Sequence, residues 1–332
     1  MATYIGIKGV SIPTVASDPA NPVAGQVWYN TGSATLKGYG AQGTAAWASG
    51  GTMNTSRAYT ANGIGTSQTA GLIAGGSNYP APSTAQVVVE TYDGSSWTEV
   101  GDLNQGVRST PGSSARGSLT AAIIFGGENT PGGNFTTTEK YNGTSWTEVN
   151  DLNTGRRSLG GVGTSTAALC VGGQTSPSVK VGVVESYDGT NWTEITDLTT
   201  ARGHGGNAGT QTAALMFGGR SGPTDNVALT ESWNGTSWTE VGDLNSGGSL
   251  GGSCGIQTAA LYIDGYRPAP AKAIVEQWDG TSWTEIADTA NTGSGGTAFG
   301  SALLAVMCTR EESLGTSEEF TVPDATKTFT AS

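Results

Sequence analysis

The chain has 332 residues, of which 53 are glycine, nine are tryptophan and only 13% are charged. Its 15 lysines and arginines stand against 27 aspartates and glutamates, a net charge of −12. Glycine at more than twice its ordinary usage argues against a helical protein, since each interior glycine costs about 1 kcal/mol relative to alanine; the acidic balance argues against nucleic acid, whose phosphates need clustered Lys and Arg.

One histidine, His204, serves the whole chain, too few for the two or three imidazoles of a usual His-ligated metal site. Three cysteines, Cys170, Cys254 and Cys308, make no disulfide framework. The longest apolar run, around residues 302–308, falls far short of the ~18 residues of a membrane span. The opening MATYIGIKGVSIPTVASDP has no sustained apolar core and does not read as a secretory signal.

Residues 1–50 read as a degenerate first blade or as an N-terminal attachment arm. Val27 to Asn30, Thr35 to Tyr39 and Ala45 to Ala48 are candidate strands, Thr3 to Val10 a fourth. Trp47 lies 50 residues before Trp97 and is therefore in phase with the later tryptophans.

From residue 51 onward the chain repeats itself. VETYDGSSWTEVGDL (89–103), TEKYNGTSWTEVNDL (138–152), VESYDGTNWTEITDL (184–198), TESWNGTSWTEVGDL (230–244) and VEQWDGTSWTEIADT (275–289) are copies of one string, and SEEFTVPDATKTFTAS (317–332) is a degraded sixth. The marker residues Trp97, Trp146, Trp192, Trp238, Trp283 and Phe329 are spaced by 49, 46, 46, 45 and 46 residues. Upstream of each lies an apolar string closed by glycine: TAGLIAGG, TAAIIFGG, TAALCVGG, TAALMFGG and TAALYIDG, with SALLAVMC in the last copy.

Each unit reads as four strands. Asp-Gly or Asn-Gly after an aromatic residue is a hairpin signal. In the fourth repeat, Asn234-Gly235 as a two-residue turn would pair Trp233 with Thr236 and Glu231 with Trp238. Alternation then puts Glu231, Trp233, Trp238 and Glu240 on one face. TAALMFGG is apolar on both faces, as a strand covered on both sides should be. The glycine-rich stretch before it (200–211) is the innermost strand, where several backbones crowd together. Units of ~46 residues with a buried middle strand need neighbours on both faces, and radial repetition supplies them.

The order Ile124-Phe125-Gly126-Gly127, Tyr141, Trp146 resembles the Kelch family over residues 51–332, with a shorter Tyr-to-Trp hairpin than usual. The expected fold is all-β: a Kelch-like β-propeller of four antiparallel strands per blade. Seven blades are expected, the alternative being six blades plus an N-terminal arm.

Catalytic readings fare poorly. His204 occupies one copy of a repeated glycine-rich strand, so a plain inner-strand position is expected rather than a triad. The repeated Glu90, Glu139, Glu185, Glu231, Glu276 and Glu318 or Glu319 are equivalent by repetition, whereas an acid/base pair must differ in environment; they read as acceptors of backbone or Trp N–H bonds between blades. No Gly-Lys-Ser/Thr follows the glycine runs, so a phosphate loop is not indicated. No enzyme activity, cofactor or metal is expected. The turns after Gly-Gly, in contrast, differ in every copy and mostly contain proline, which lowers the ordering cost of binding. Tyr79, Phe135, Arg220, Tyr266 and Arg267 are the candidate anchors there.

GQVWYNTGSATLKGY followed by near-identical NGTSWTEV copies resembles structural proteins of marine tailed bacteriophages. The resemblance implies a non-enzymatic virion component, assembled in the host cytoplasm: a tail fibre or adhesin-type module that contacts other virion proteins or a host surface glycan or protein. A capsid decoration protein is the alternative, and a carbohydrate-active propeller enzyme a remote one. Neither nucleic-acid binding nor membrane insertion is expected, and self-association in the particle stays open.

Overall fold

The alternation in each repeat is realised strand by strand. In the fourth, Thr230–Trp233 pairs antiparallel with Trp238–Glu240, setting Trp233 opposite Trp238 and Glu231 opposite Glu240. Expected face-sharing therefore holds, but the turn has four residues, not two. Asn234 Oδ1 accepts the backbone N–H groups of Thr236 and Ser237, both at 2.9 Å, and Gly235 takes a φ of +94°. An Asx turn of this kind satisfies two amides locally, which lengthens the loop by two residues and leaves the facing sides unchanged.

The computed structural model describes residues 12–41, 43–78, 84–109, 112–113, 116–129, 133–223, 225–266, 273–308, 310–311 and 315–329. Among them the chain is all-β and β-propeller-like, without a helix. It divides into two units, Trp47–Phe320 and Met1–Ala46 with Thr321–Ser332.

The larger unit holds six four-stranded sheets among the described residues. The first comprises Ile64–Ser67, Ala70–Ala74, Val89–Tyr92 and Trp97–Glu99; the second Gly112–Ser113, Ala122–Phe125, Thr138–Tyr141 and Trp146–Val149. The third comprises Gly160–Thr164, Ala167–Val171, Val184–Tyr187 and Trp192–Glu194; the fourth Gly206–Gly209, Ala214–Phe217, Thr230–Trp233 and Trp238–Glu240. The fifth comprises Gly252–Ile256, Ala259–Ile263, Val275–Trp278 and Trp283–Glu285. Thr297–Gly300, Leu304–Cys308, Ser317–Thr321 and Ala46–Ser49 form the sixth. First strands of neighbouring sheets pack on one another in sequence order from the second sheet onward, and that of the sixth returns to that of the first.

This sixth sheet departs from expectation. Its outer strand is Ala46–Ser49, so Trp47 fills the place assigned to Phe329: its ring lies 5.1 Å from that of Phe320 and its indole donates to the Ala287 carbonyl. Phe329 instead pairs with Leu36 in the smaller unit. There, Thr14–Val15, Val27–Asn30, Thr35–Ala41 and Asp324–Phe329 form a sheet in that order, its first pair parallel. A seventh blade built from residues 27–48 would have kept these strands together; the structure distributes them between two sheets. Thr3 to Val10 lies outside the described residues. Asp18 organises the smaller sheet, accepting from Trp28 Nε1 (3.0 Å), Asn30 Nδ2 (2.6 Å) and Lys37 Nζ (2.6 Å), and these donors hold its carboxyl down at about 2.

The six glutamates are structural, though their partners are not Trp N–H groups. Glu185 accepts the backbone N–H and Nδ2 of Asn153, the N–H of Thr154, and Arg156 Nη2 at 2.8 Å. Both members of that ion pair are fully buried. Glu90 with Asn54 and Arg57 repeats the arrangement, and Glu231 keeps it with Arg202 but has Thr199 at the asparagine's place. In the second and fifth sheets Val107 and Gly248 stand at the arginine's place, and an asparagine side chain bonds the carboxylate: Asn104 that of Glu139, Asn245 that of Glu276. In the sixth, Arg310 reaches Glu318 from beyond the end of Leu304–Cys308 and also holds Asp264. Each carboxylate thus fastens the incoming segment to the third strand of the sheet that it enters.

The Gly-Gly pairs, replaced by Asp264-Gly265 in the fifth sheet, fasten each of the first five sheets to the next. Gly219 donates its N–H to the Gly248 carbonyl at 2.7 Å and takes a φ of +95°; a Cβ there would stand 2.7 Å from the Gly203 carbonyl oxygen. Gly76, Gly127, Gly173 and Gly265 make the equivalent bonds to Val107, Arg156, Arg202 and Gly293.

Contacts between the first five sheets alternate. Trp192 Nε1 donates to Thr138 Oγ1 of the preceding sheet, and Trp283 Nε1 to Thr230 Oγ1. Phe125 meets Trp192 edge-on at 4.7 Å and Phe217 meets Trp283 at 4.8 Å. Trp146 and Trp238, by contrast, bury their indole nitrogens without a hydrogen-bond partner, and valines (Val89, Val184) stand in the preceding sheet where the threonines would be.

Replacing Arg156 by alanine should cost about 3–5 kcal/mol, the usual effect of stranding a buried partner charge. A urea titration followed by tryptophan fluorescence reads it, and Arg156→Ala with Glu185→Ala together should cost less than the two single losses combined.

Candidate functional site

Ahead of each first strand, a three-residue pattern recurs. Its first place holds Arg57, Val107, Arg156, Arg202, Gly248 and Gly293; its second Ala58, Arg108, Arg157, Gly203, Ser249 and Ser294; its third Tyr59, Ser109, Ser158, His204, Leu250 and Gly295. All six third-place residues have left-handed φ angles, between +53° and +70°. Such a conformation costs a non-glycine residue on the order of 1 kcal/mol, and its recurrence in every copy makes it a demand of the architecture rather than a mark of one reactive residue.

What offsets the strain is a chain of backbone hydrogen bonds. Ser158 donates to Ser109, His204 to Ser158, Leu250 to His204, Gly295 to Leu250 and Tyr59 to Gly295, at 2.8–3.0 Å. Five bonds therefore tie together residues from all six sheets at one level near the axis.

Second-place residues bridge to the residue just beyond the Gly-Gly pair: Ala58 with Ser77, Arg108 with Glu128, Arg157 with Gln174, Gly203 with Arg220 and Ser249 with Tyr266. The scaffold is the same in each copy while its side chains change completely. They surround a cavity of about 270 Å³ lined by Tyr59, Ser77, Arg108, Ser109, Arg157, Ser158, Gln174, His204, Arg220 and Leu250. A larger depression of about 490 Å³, with Trp233 and Ile195 in its wall, carries no charged side chain.

The cavity wall is basic in an acidic protein. Arg108, Arg157 and Arg220 line it; Glu128 accepts from Ser109 Oγ (2.7 Å) and stands 3.4 Å from Arg157 and 3.7 Å from Arg108, while Glu311 accepts from the Tyr59 hydroxyl. Arg157 also donates to Asn134 Oδ1, and Arg220 Nε to Ser249 Oγ at 3.0 Å. Lys180, close behind, donates to Gln174 Oε1, and burial together with Arg220 and Arg157 lowers its pKa. His204 Nδ1 is buried without a hydrogen-bond partner. Burial, then repulsion from Lys180, Arg220 and Arg157, pushes its imidazole down to about 3, leaving it neutral.

Of the anchors inferred from sequence, Arg220 and Tyr266 come together: the guanidinium carbon lies 5.0 Å from the ring centroid, a cation–π contact. Phe135 packs against the apolar cluster of the first and second sheets instead. Tyr79 and Arg267 lie outside the described residues. Arg108, Ser109, Arg157, Ser158 and Gln174 were missed and His204 was read as a plain inner-strand residue, although aligning the six copies column by column exposes them as the places where the repeats disagree. His204 itself precedes its strand, Gly206–Gly209, rather than lying within it, and so faces the cavity instead of a neighbouring sheet.

The thiols of Cys170, Cys254 and Cys308 are free and buried, and burial raises each to about 12; none is poised as a nucleophile. Among the described residues no group of three His, Cys, Asp or Glu side chains is placed to hold a metal ion.

The single histidine provides a direct check on the cavity. Its imidazole C2–H resonance should stay flat from about pH 8 to about pH 5, where an ordinary histidine titrates near 6.5. Because the folded pKa is depressed, the group's contribution to stability is full above the unfolded value of ~6.5 and declines as pH falls from there toward the folded value.

Comparison with known protein-family models and with curated proteins finds no match to this chain.

Proposed function

We propose that the chain is a non-enzymatic structural protein of a tailed-bacteriophage particle. In this reading the unit Trp47–Phe320 is a six-bladed Kelch-type propeller that binds a host surface or a neighbouring virion protein through the loops beyond its Gly-Gly pairs. The observation that carries the reading is where the repeats differ. Strand faces, glutamates and glycine pairs are near-identical copies, whereas the positions gathered at the axial end vary in charge, size and polarity from one copy to the next. A rigid frame with variable residues at one end is the arrangement of a recognition surface.

The Arg220–Tyr266 pair is the strongest anchor on that surface. Tyr266 is 53% exposed, large for an aromatic side chain, and the guanidinium over its ring reduces the entropy lost on binding. The resemblance of GQVWYNTGSATLKGY and the NGTSWTEV copies to phage structural proteins supplies the setting. Few charges and thoroughly buried thiols suit a durable component of an assembled particle.

Phage carrying Arg220→Ala with Tyr266→Ala should assemble particles of normal composition and lose at least about tenfold in host adsorption, more than 1.4 kcal/mol of contact energy. If the loops bind a virion neighbour instead, the same change should reduce the protein's copy number in purified particles. Unchanged adsorption together with unchanged copy number would reject the assignment of this surface.

A further inference from the structure

We infer that the axial cavity is a binding site for a compact oxyanion, a phosphate, sulfate or carboxylate group, either free or carried on a sugar. Three arginines line it, with Lys180 behind them; of the carboxylates close by, Glu128 stands against Arg108 and Arg157, and Glu311 accepts from the Tyr59 hydroxyl. Four of the chain's 15 basic residues are thus brought to one point of a molecule whose net charge is −12. Nothing in the fold calls for this concentration. The arginines that stabilise the sheets, Arg57, Arg156, Arg202 and Arg310, are a separate set, each fully buried against its own carboxylate. At the cavity, second-place residues are free to be Ala58, Gly203 or Ser249 in other copies without loss of the bridge.

The donors suit an oxyanion. Guanidinium groups present planar forks that match carboxylate, sulfate and phosphate oxygens. Ser158 Oγ already accepts from Gln174 Nε2 at 3.2 Å, so its own hydroxyl proton is available to another acceptor. His204 Nδ1 is buried and lacks a partner, a condition that costs stability until something bonds it. In the tautomer with its proton on Nδ1, a ligand oxygen satisfies that nitrogen.

Size limits the ligand. About 270 Å³ is just under the ~300 Å³ at which pockets for drug-sized molecules begin. Beyond the backbone hydrogen bonds at the axis only about 10 Å³ remains, between His204, Leu159, Asn62 and Gly251. The anionic group must therefore be received at this one level. Tyr59, Ser109, His204 and Arg220 are half-exposed, which leaves the cavity in contact with solvent.

The test titrates the intact protein separately with inorganic phosphate, inorganic sulfate, glucuronic acid and, as a neutral control, glucose. The readout is the His204 C2–H resonance together with calorimetry. At least one anion should move the line saturably and raise the pH at which it titrates, while glucose leaves it in place. Binding of phosphate or sulfate alone supports the site with a free ion as ligand; binding of glucuronic acid supports it with a sugar as carrier. Arg157→Gln with Arg220→Gln should weaken binding at least about tenfold. Where that pair disturbs folding by circular dichroism, Arg220→Gln alone, at the half-exposed rim, should still weaken it severalfold. No saturable shift with any anion, an equal shift with glucose, or unaltered affinity in a folded arginine variant would overturn the inference. Host adsorption is not involved in this measurement, so either result leaves the virion reading to its own experiment.

Discussion

A carboxylate with nowhere to go but its own repeat's incoming segment is the constraint on which this molecule depends. Each third strand buries a glutamate, and a buried carboxylate needs hydrogen-bond donors. The donors come from the turn that enters the sheet: backbone N–H groups in every sheet, an asparagine amide in four and, in three, an arginine from the same turn. Strand, turn and the start of the next first strand are therefore fixed together. With the turn fixed, its carbonyl receives the Gly-Gly amide of the preceding sheet, and the apolar faces of both close over it. Hydrophobic area supplies most of the free energy, but it is non-directional, and the glutamate sets the register in which that area is buried.

Much of this was legible in the residues because repetition acts as a control. Comparing copies separates what the architecture needs from what it tolerates, and the tryptophan spacing, the apolar second strand and the glycine-rich first strand all emerge from that comparison. What failed did so for local reasons. Asn234-Gly235 is the signature of a two-residue hairpin, yet Asn234 spends its carboxamide oxygen on two amides ahead of it, and nothing in the pattern distinguishes the two outcomes. The exchange of Trp47 for Phe329 in the sixth sheet turns on pairing between residues far apart in sequence, which short-range signals do not encode. Trp47 was in phase with the repeats all along, but phase alone did not say which sheet it would complete.

The candidate site was legible in a different way. Anchors chosen by residue type and loop position found Arg220 and Tyr266 but also Phe135, whose ring serves the core. The residues around the cavity are ordinary Ser, Arg and Gln in glycine-rich surroundings and carry no motif. Only the superposition of six turns in space puts Arg108, Arg157 and His204 beside one another. The left-handed residues teach a related lesson. A leucine or a histidine at φ +61° in isolation suggests a strained functional residue, whereas the same angle in every copy assigns the strain to the frame and leaves function to the side chains.

The two kinds of inter-sheet contact take turns through the first five sheets. One seam has a threonine hydroxyl on an indole and a phenyl edge against it; the next has a valine and a bare indole nitrogen. The circuit closes on neither kind: Trp47 of the sixth sheet gives its indole N–H to the Ala287 carbonyl, and Trp97 of the first gives its own to the Gly51 carbonyl. Main-chain acceptors thus complete the last two joints, which frees them from the side chain that the neighbouring repeat presents.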